Sequence, residues 1–265
     1  MTTAYSGSGN IHRSLELLWH GKDRLSRGPK PGLTLDQIVT AAVSLADREG
    51  LPALSMRAVA TELGVGTMSL YRYVPSKGEL LDLMLDHVYN RADTSDWVTN
   101  AGWRASMERI ARGKWALFHR HPWLLQVNQA RPVLGPNALT GFEFALLAFD
   151  GLDLTGGEKI KIIMTVEHYV TGTARTYIFQ QQAAEQSGMT DEEFWKAQHP
   201  ILLEALRGGA FPQIAGLEEN AFVIGGEEAL EFGLVPILDG VEAFIAGRKE
   251  TGPRRNVVER IDFPG

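Results

Sequence analysis

Between Thr67 and Lys77 the chain places Thr67, Met68, Ser69, Tyr71, Arg72, Tyr73 and Lys77 within eleven residues. Their chemistry is recognition of groups with a fixed pattern of donors and acceptors. A guanidinium such as that of Arg72 pairs bidentately with O6 and N7 of guanine, and the methyl groups of Thr67 and Met68 suit the thymine methyl. The hydroxyls of Tyr71 and Tyr73 suit phosphate oxygens, which fix register without reading sequence.

These residues need a scaffold, and the run SMRAVATELGVGTMSLYRYVPSK from Ser55 to Lys77 supplies one. Ser55 is placed to cap a short helix. Val59, Ala60 and Leu63 recur at helical spacing on one face, with Arg57 and Glu62 off it. Gly64 follows where a sharp turn needs a left-handed residue, and Val65 is the apolar plug of that turn. A second helix over about 67–73 turns Leu70 and Val74 inward. Two short helices joined by a Gly-containing turn form a helix-turn-helix, whose second helix enters the major groove. Ordinary α-hairpins share this spacing.

Pro75 ends the second helix, and Ser76 with Glu79 forms an S-x-x-E capping box for the next. Lys77, in the first turn of that helix, is a phosphate clamp. Upstream, Thr34 opens a capping box with Gln37 for a helix whose apolar face carries Leu35, Ile38, Val39, Ala42, Leu45 and Ala46. The module is three helices over roughly 35–74, with a fourth leading away over about 77–92.

The stretch from Leu33 to Met84 resembles the N-terminal domain of the TetR family of transcriptional regulators, most specifically in the LGVGTMSLYRYVPSKGELL segment. The resemblance implies double-stranded operator DNA as partner, with groove or phosphate contacts from Arg57, Thr67, Met68, Ser69, Tyr71, Arg72, Tyr73 and Lys77. Thr34 and Ser55, at helix N-termini of the same module, join the candidate DNA contacts.

Charge is distributed in the same sense. The whole chain is at −6, yet residues 22–77 carry eight Lys/Arg against five Asp/Glu. Residues 78–265 carry 17 against 26. A basic module on an acidic body suits a protein that meets phosphate at one end only. Arg24, Arg27 and Lys30 lie in a Pro/Gly-interrupted segment just before the module. They are read as a basic arm that reaches the adjacent minor groove, a solvated linker being the alternative. Residues 1–10, rich in Gly, Ser and Thr, are expected to be disordered. Ile11, Leu15, Leu18 and Trp19 share a helical face that either docks or frays.

The chain has no cysteine, so disulfides and thiolate metal sites are out, and a reducing cytoplasm fits. No apolar run reaches the ~18–20 residues a membrane helix needs, and no signal peptide is evident. The expected organisation is all-α: a flexible extension (1–32), a helix-turn-helix domain (33–80) and a larger helical bundle (81–265). Helices are expected over about 103–119, 123–131, 137–150, 157–186, from Thr190 to about His199, and over 227–247, with a loop across 207–217. HPW at 121–123, RPVLGPN at 131–137 and LEFGLVPILDGVEAFIAG at 230–247 resemble the TetR-type regulatory domain more weakly. That resemblance implies a homodimer through helices about 158–182 and 227–247. Pro236 departs from it, since an internal proline removes a hydrogen bond and kinks a helix.

Pro122, Pro132 and Pro136 interrupt the bundle, leaving room for a pocket between helices. Trp115 and Trp123 are candidate lining residues, and Gln126, Arg131, Glu143, Glu167, His168 and Arg175 are candidate polar groups. The resemblance favours His168, Arg175 and the Gln126–Arg131 segment. No HExxH, G-x-S-x-G, P-loop or post-strand GxGxxG is present, so no enzyme, cofactor or metal is expected. The function expected is a ligand-responsive regulator, a repressor released by a small apolar or aromatic effector. A ligand-independent DNA-binding or assembly factor is the alternative.

Overall fold

A computed structural model describes residues 4–21, 33–89, 102–218 and 221–251, with side chains as far as 248. Arg24, Arg27 and Lys30 of the basic arm lie outside the described residues.

The fold is all-α, and its helices begin where the sequence offers caps. α1 (Ile11–His20) is capped by Asn10, and α2 (Leu35–Glu49) by a complete Thr34/Gln37 box. Then come α3 (Met56–Glu62), α4 (Thr67–Tyr71) and α5 (Lys77–Val88). The body consists of α6 (Gly102–Arg120), α7 (Pro136–Leu147), α8 (Gly156–Ser187), α9 (Asp191–Arg207), α10 (Pro212–Ala215) and α11 (Gly226–Thr251). Thr155/Glu158 and Thr190/Glu193 boxes open α8 and α9, and Gly188, at φ 66°, ends α8 in the left-handed region.

The buried core is continuous from Leu17 to Leu238. α5 packs between α1 and α2, while α8 packs on α6 and on α11. Val166, Val170 and Ala174 of α8 are fully buried at helical spacing, as are Leu234 and Leu238 of α11. Each such side chain contributes about 1.5–3 kcal/mol if large.

The N-terminus differs from expectation. Residues 4–10 are not disordered but run along the body, where Asn128 N–H donates to Ala4 O and Ser6 N–H donates to Asn128 O. α1 docks through Ser14 and Leu17, whereas Ile11 and Trp19 are exposed. That face combines a hydroxyl partner for a buried carboxylate with Leu17, and Leu18 packs partly against the core beside them.

Residues 123–131 are not a helix. A 3₁₀ turn over Pro122–Gln126 gives way to extended chain, because the Asn128 backbone pairs with the N-terminal segment instead of a preceding turn. α9 does not stop near His199 but continues through Pro200 to Arg207. Its surface is exposed there, so water can serve the carbonyl that Pro200 leaves without a partner. The segment 207–217 contains the short α10. α5 ends at Val88, short of residue 92. α11 continues through Pro236.

Candidate DNA-reading face and the body behind it

The three-helix module forms as its residues dictate. Ser55 Oγ accepts from Ala58 N–H at 3.1 Å to start α3. Val59 and Ala60 are buried, as is Met56, which the spacing argument had not included. Gly64 sits at φ 65° and Val65 N–H returns to Ala60 O at 3.0 Å, closing the turn. Val65 packs partly buried against the core.

α4 is about one and a half turns long, ~7.5 Å at ~1.5 Å per residue, and at ~10–12 Å across it matches the ~12 Å width of a major groove. Leu70 and Val74 are fully buried and anchor it. The opposite side presents Met68 at 77% exposure and Tyr71 at 42%, with Arg72 exposed at the C-cap. Thr67 and Ser69 are half-buried, and Tyr73 packs partly against the core. Arg57 is exposed on α3. Among the described residues, neither Arg57 nor Arg72 has an ion-pair partner. Arg48, in contrast, is held by Glu49 and Glu62 at 3.0 Å.

Lys77 is exposed in the first turn of α5, where neighbouring atoms strip part of its water and lower its pKa. The Ser76 cap is not the reciprocal box expected. Ser76 Oγ accepts from Gly78 N–H at 3.0 Å, and its own hydroxyl donates to Glu79. The other Glu79 oxygen accepts from Asn10 N–H at 2.7 Å, so the N-terminal segment takes the arm that would have closed the box.

In the body, the candidate pocket residues lie in different settings. Trp115 is buried, stacks obliquely on His119 at 4.6 Å between centroids, and lies beside Gly226 with Tyr177. Trp123 is buried too but turns toward α2, donating from Nε1 to Asp47 Oδ1 at 2.8 Å. His121 Nδ1 reaches the same oxygen at 2.7 Å. Gln126 is half-buried. Arg175 donates to Leu125 O at 3.1 Å. Arg131, Glu143 and His168 are exposed in this chain.

A polar cluster lies between α5, α6 and α8; Glu167 is among the candidates read from the sequence, whereas Lys114 and Tyr89 are not. Lys114 Nζ donates to Tyr89 OH at 3.2 Å, approaches Glu167 at 3.5 Å, and sits over the rings of Tyr89 and Phe118. Tyr89 OH donates in turn to Gln129 at 3.3 Å. Burial opposes the ammonium, but Tyr89 and Glu167 outweigh it and raise its pKa. The signal was present, since Lys114 is spaced four residues from both Ile110 and Phe118 on the buried face.

Among the described residues no group of three His, Asp or Glu could hold a metal, and no helix is long and apolar enough to cross a membrane.

Comparison with known proteins accords with this geometry. Residues 38–84 match the profile of bacterial regulatory proteins of the tetR family, and residues 98–245 match the tetracyclin repressor-like C-terminal domain. The chain is 52% identical over 254 residues to the HTH-type transcriptional repressor DrrR1 of Streptomyces coeruleorubidus, covering 95% of this chain and 93% of that one. An HTH-type transcriptional regulator of Saccharopolyspora erythraea is 30% identical over 218 residues, 81% and 89% of the two chains. Among solved structures, apo ActR from Streptomyces coelicolor superposes with a TM-score of 0.63 at 28% identity, over 84% of this chain and 99% of that one. ActR in complex with actinorhodin gives 0.63 at 26% identity, over 81% and 99%. With both parts of the chain matched by family profiles and a relative 52% identical over 95% of the chain, this helix-turn-helix protein belongs to the TetR family of bacterial transcriptional regulators.

Proposed function

We propose that the protein is a cytoplasmic homodimeric repressor that binds a palindromic operator and is released by a small apolar or aromatic effector. The observation that carries the operator contacts is the surface of α4. A helix anchored by two fully buried residues exposes a large thioether at 77% beside an exposed tyrosine and an unpaired guanidinium. Base edges and phosphates suit that combination, the thioether meeting a thymine methyl and the guanidinium and hydroxyl meeting acceptors. Thr67, Met68 and Arg72 read bases. Ser69, Tyr71, Tyr73, Lys77 and Arg57, with the helix starts at Thr34 and Ser55, hold phosphates. Arg24, Arg27 and Lys30 reach the adjacent minor groove.

Two copies pair through α8 and α11, over about 158–182 and 227–247. Ile160 and Met164 of α8 and Phe232, Val235 and Phe244 of α11 are exposed in the single chain. Two-fold symmetry then lets two recognition helices read both halves of a palindrome. The effector site lies in the body beside Trp115, Gln126 and Arg175, with Lys114 and Glu167 adding a charged pair, whereas Trp123 faces α2 and Arg131, Glu143 and His168 are exposed in the single chain. That ActR, similar to this chain, has been solved in complex with actinorhodin supports a small-molecule effector. To release DNA, the ligand must bind the two states of the dimer with different affinity.

Arg72→Ala tests the operator contacts. Against a duplex selected from a random pool by the wild-type protein, it is expected to lose ~1–3 kcal/mol of specific binding and relax preference at one base pair. Unchanged discrimination among single-base variants of that duplex would remove Arg72 from base reading.

A further inference from the structure

Neither DNA reading nor effector binding accounts for the N-terminal segment and the carboxylates it meets. Glu79, Asp82 and Asp86 recur at three- and four-residue spacing on α5, so they form one stripe, and all are at most 5% exposed. Their donors come largely from outside α5. Asp82 Oδ1 accepts from Ser6 Oγ at 3.0 Å and Gly7 N–H at 2.8 Å, and Oδ2 from Ser14 Oγ at 2.7 Å. Asp86 accepts from Ala138 N–H at 2.9 Å, at the start of α7. The backbones of Gly9 and Gly78 approach so closely that neither position has room for a Cβ.

Ser6 joins two bodies. While its hydroxyl donates to Asp82, its oxygen accepts from Val133 N–H at 3.0 Å, and its backbone pairs with Asn128. Trp19 Nε1 adds a bond to Leu134 O at 3.2 Å. On its far side the same extended segment meets the Lys114 cluster through Gln129. A shift of residues 127–138 must therefore either drag α5 or strip donors from buried carboxylates, and the second leaves a desolvated charge without its hydrogen bonds. α5 begins at Lys77, just beyond the recognition helix.

We propose that residues 4–20 are a coupling strap, locking α5 to the 127–138 segment so that displacements in the body and at α4 are exchanged through it. The proposal rests on the reading of the chain as a regulator whose body and DNA-reading module respond to one another. Coupling is reciprocal, so DNA alone can probe it without a known effector.

The experiment is amide hydrogen exchange on the full-length protein, with and without the selected duplex. In the wild type, the duplex is expected to slow exchange both in 67–77 and in 127–138. Ser6→Ala/Ser14→Ala is expected to keep protection at 67–77 and lose at least about fivefold of that at 127–138. Deletion of residues 2–9, which leaves the Ser14–Asp82 bond in place, is expected to act in the same direction and guards against a folding defect in the double variant. Wild-type protection at 127–138 retained in both variants would overturn the strap. Protection of 67–77 with none at 127–138 in the wild type would also overturn it, while leaving DNA reading intact. A brace that only adds stability would lower Tm without separating the two regions.

Discussion

Glu79 and Asp86 lie seven residues apart on α5, and burial opposes the charge of both, yet their pKa values shift in opposite directions. Around Glu79, burial acts against the carboxylate, but the Ser76 hydroxyl, the Asn10 N–H and the Arg13 charge together hold its pKa below the usual glutamate value. Around Asp86, burial prevails over Ala138, Asn137 and His87 and raises its pKa. The linkage signs follow. The share of stability that Glu79 contributes is full above its unfolded pKa of about 4.3 and is lost as pH falls through the folded value. Asp86 favours the fold when protonated, an effect lost as pH rises through its folded value. Glu79→Gln is therefore expected to cost about 1–2 kcal/mol near neutral pH, the scale of a hydrogen bond to a charged group. The gap from wild type should close below about pH 4, as glutamate itself becomes neutral. Thermal melts at pH 7, 5 and 3.5 measure this, and a constant gap would contradict the sign assigned to Glu79. None of this was legible from one-dimensional spacing. Ser76 and Glu79 read as a self-contained capping box, and only the fold shows that Asn10, 69 residues away, takes one of the carboxylate oxygens.

At the scale of elements, the legible parts are those whose cause is local. Thr34, Thr155 and Thr190 cap their helices within four residues, and Gly64 and Gly188 turn the chain by their own conformation. The candidate reading face on α3, α4 and the start of α5 was legible for the same reason, since Leu70 and Val74 fix which side of α4 faces out. Elements decided by distant partners were not legible. The 123–131 stretch has helical composition, but Asn128 spends its backbone groups on Ala4 and Ser6. The α8–α11 contact is of the same kind. Tyr169 of α8 reaches across α11 and donates its hydroxyl to Ala229 O, in space that exists because residue 233 is glycine. A Cβ there would overlap the phenol ring. Gly233→Ala is expected to destabilise by about 1–3 kcal/mol through overpacking. Adding Tyr169→Ala should recover part of that loss, so the double variant is more stable than the two single effects predict. Urea titrations of the four proteins measure the coupling, and strict additivity would mean that the ring and the glycine do not meet.

For the whole molecule, the charge split and the exposed apolar surface divide the work between two ends. The exposed face of α3, α4 and the start of α5 is the part proposed to meet DNA, while the acidic body carries large exposed side chains that a lone chain leaves in water. Phe232 is 82% exposed, and α9 has no buried residue although it carries Phe194, Trp195, Ile201, Leu202 and Leu203. Phe232 lies on one of the two helices proposed to pair, so a second copy seated on the α8–α11 face would cover it. Obligate homodimer interfaces of this kind bury upwards of ~2,000 Å² and resemble a core cut in half. A charge at the centre of such a face is costly, because it is desolvated without a partner. Phe232→Glu is thus expected to weaken dimerisation by at least about 100-fold, within the range reported for central interface residues. Since a half-operator is bound far more weakly than a palindrome, operator affinity should fall with it even though residue 232 is far in sequence from α4. Sedimentation equilibrium over a concentration series reads the first effect and titration of the selected duplex the second. A variant that stays dimeric at nanomolar concentration would move the interface away from α11. One that becomes monomeric yet binds the full duplex as tightly as wild type would show that the palindrome is not read by a preformed pair.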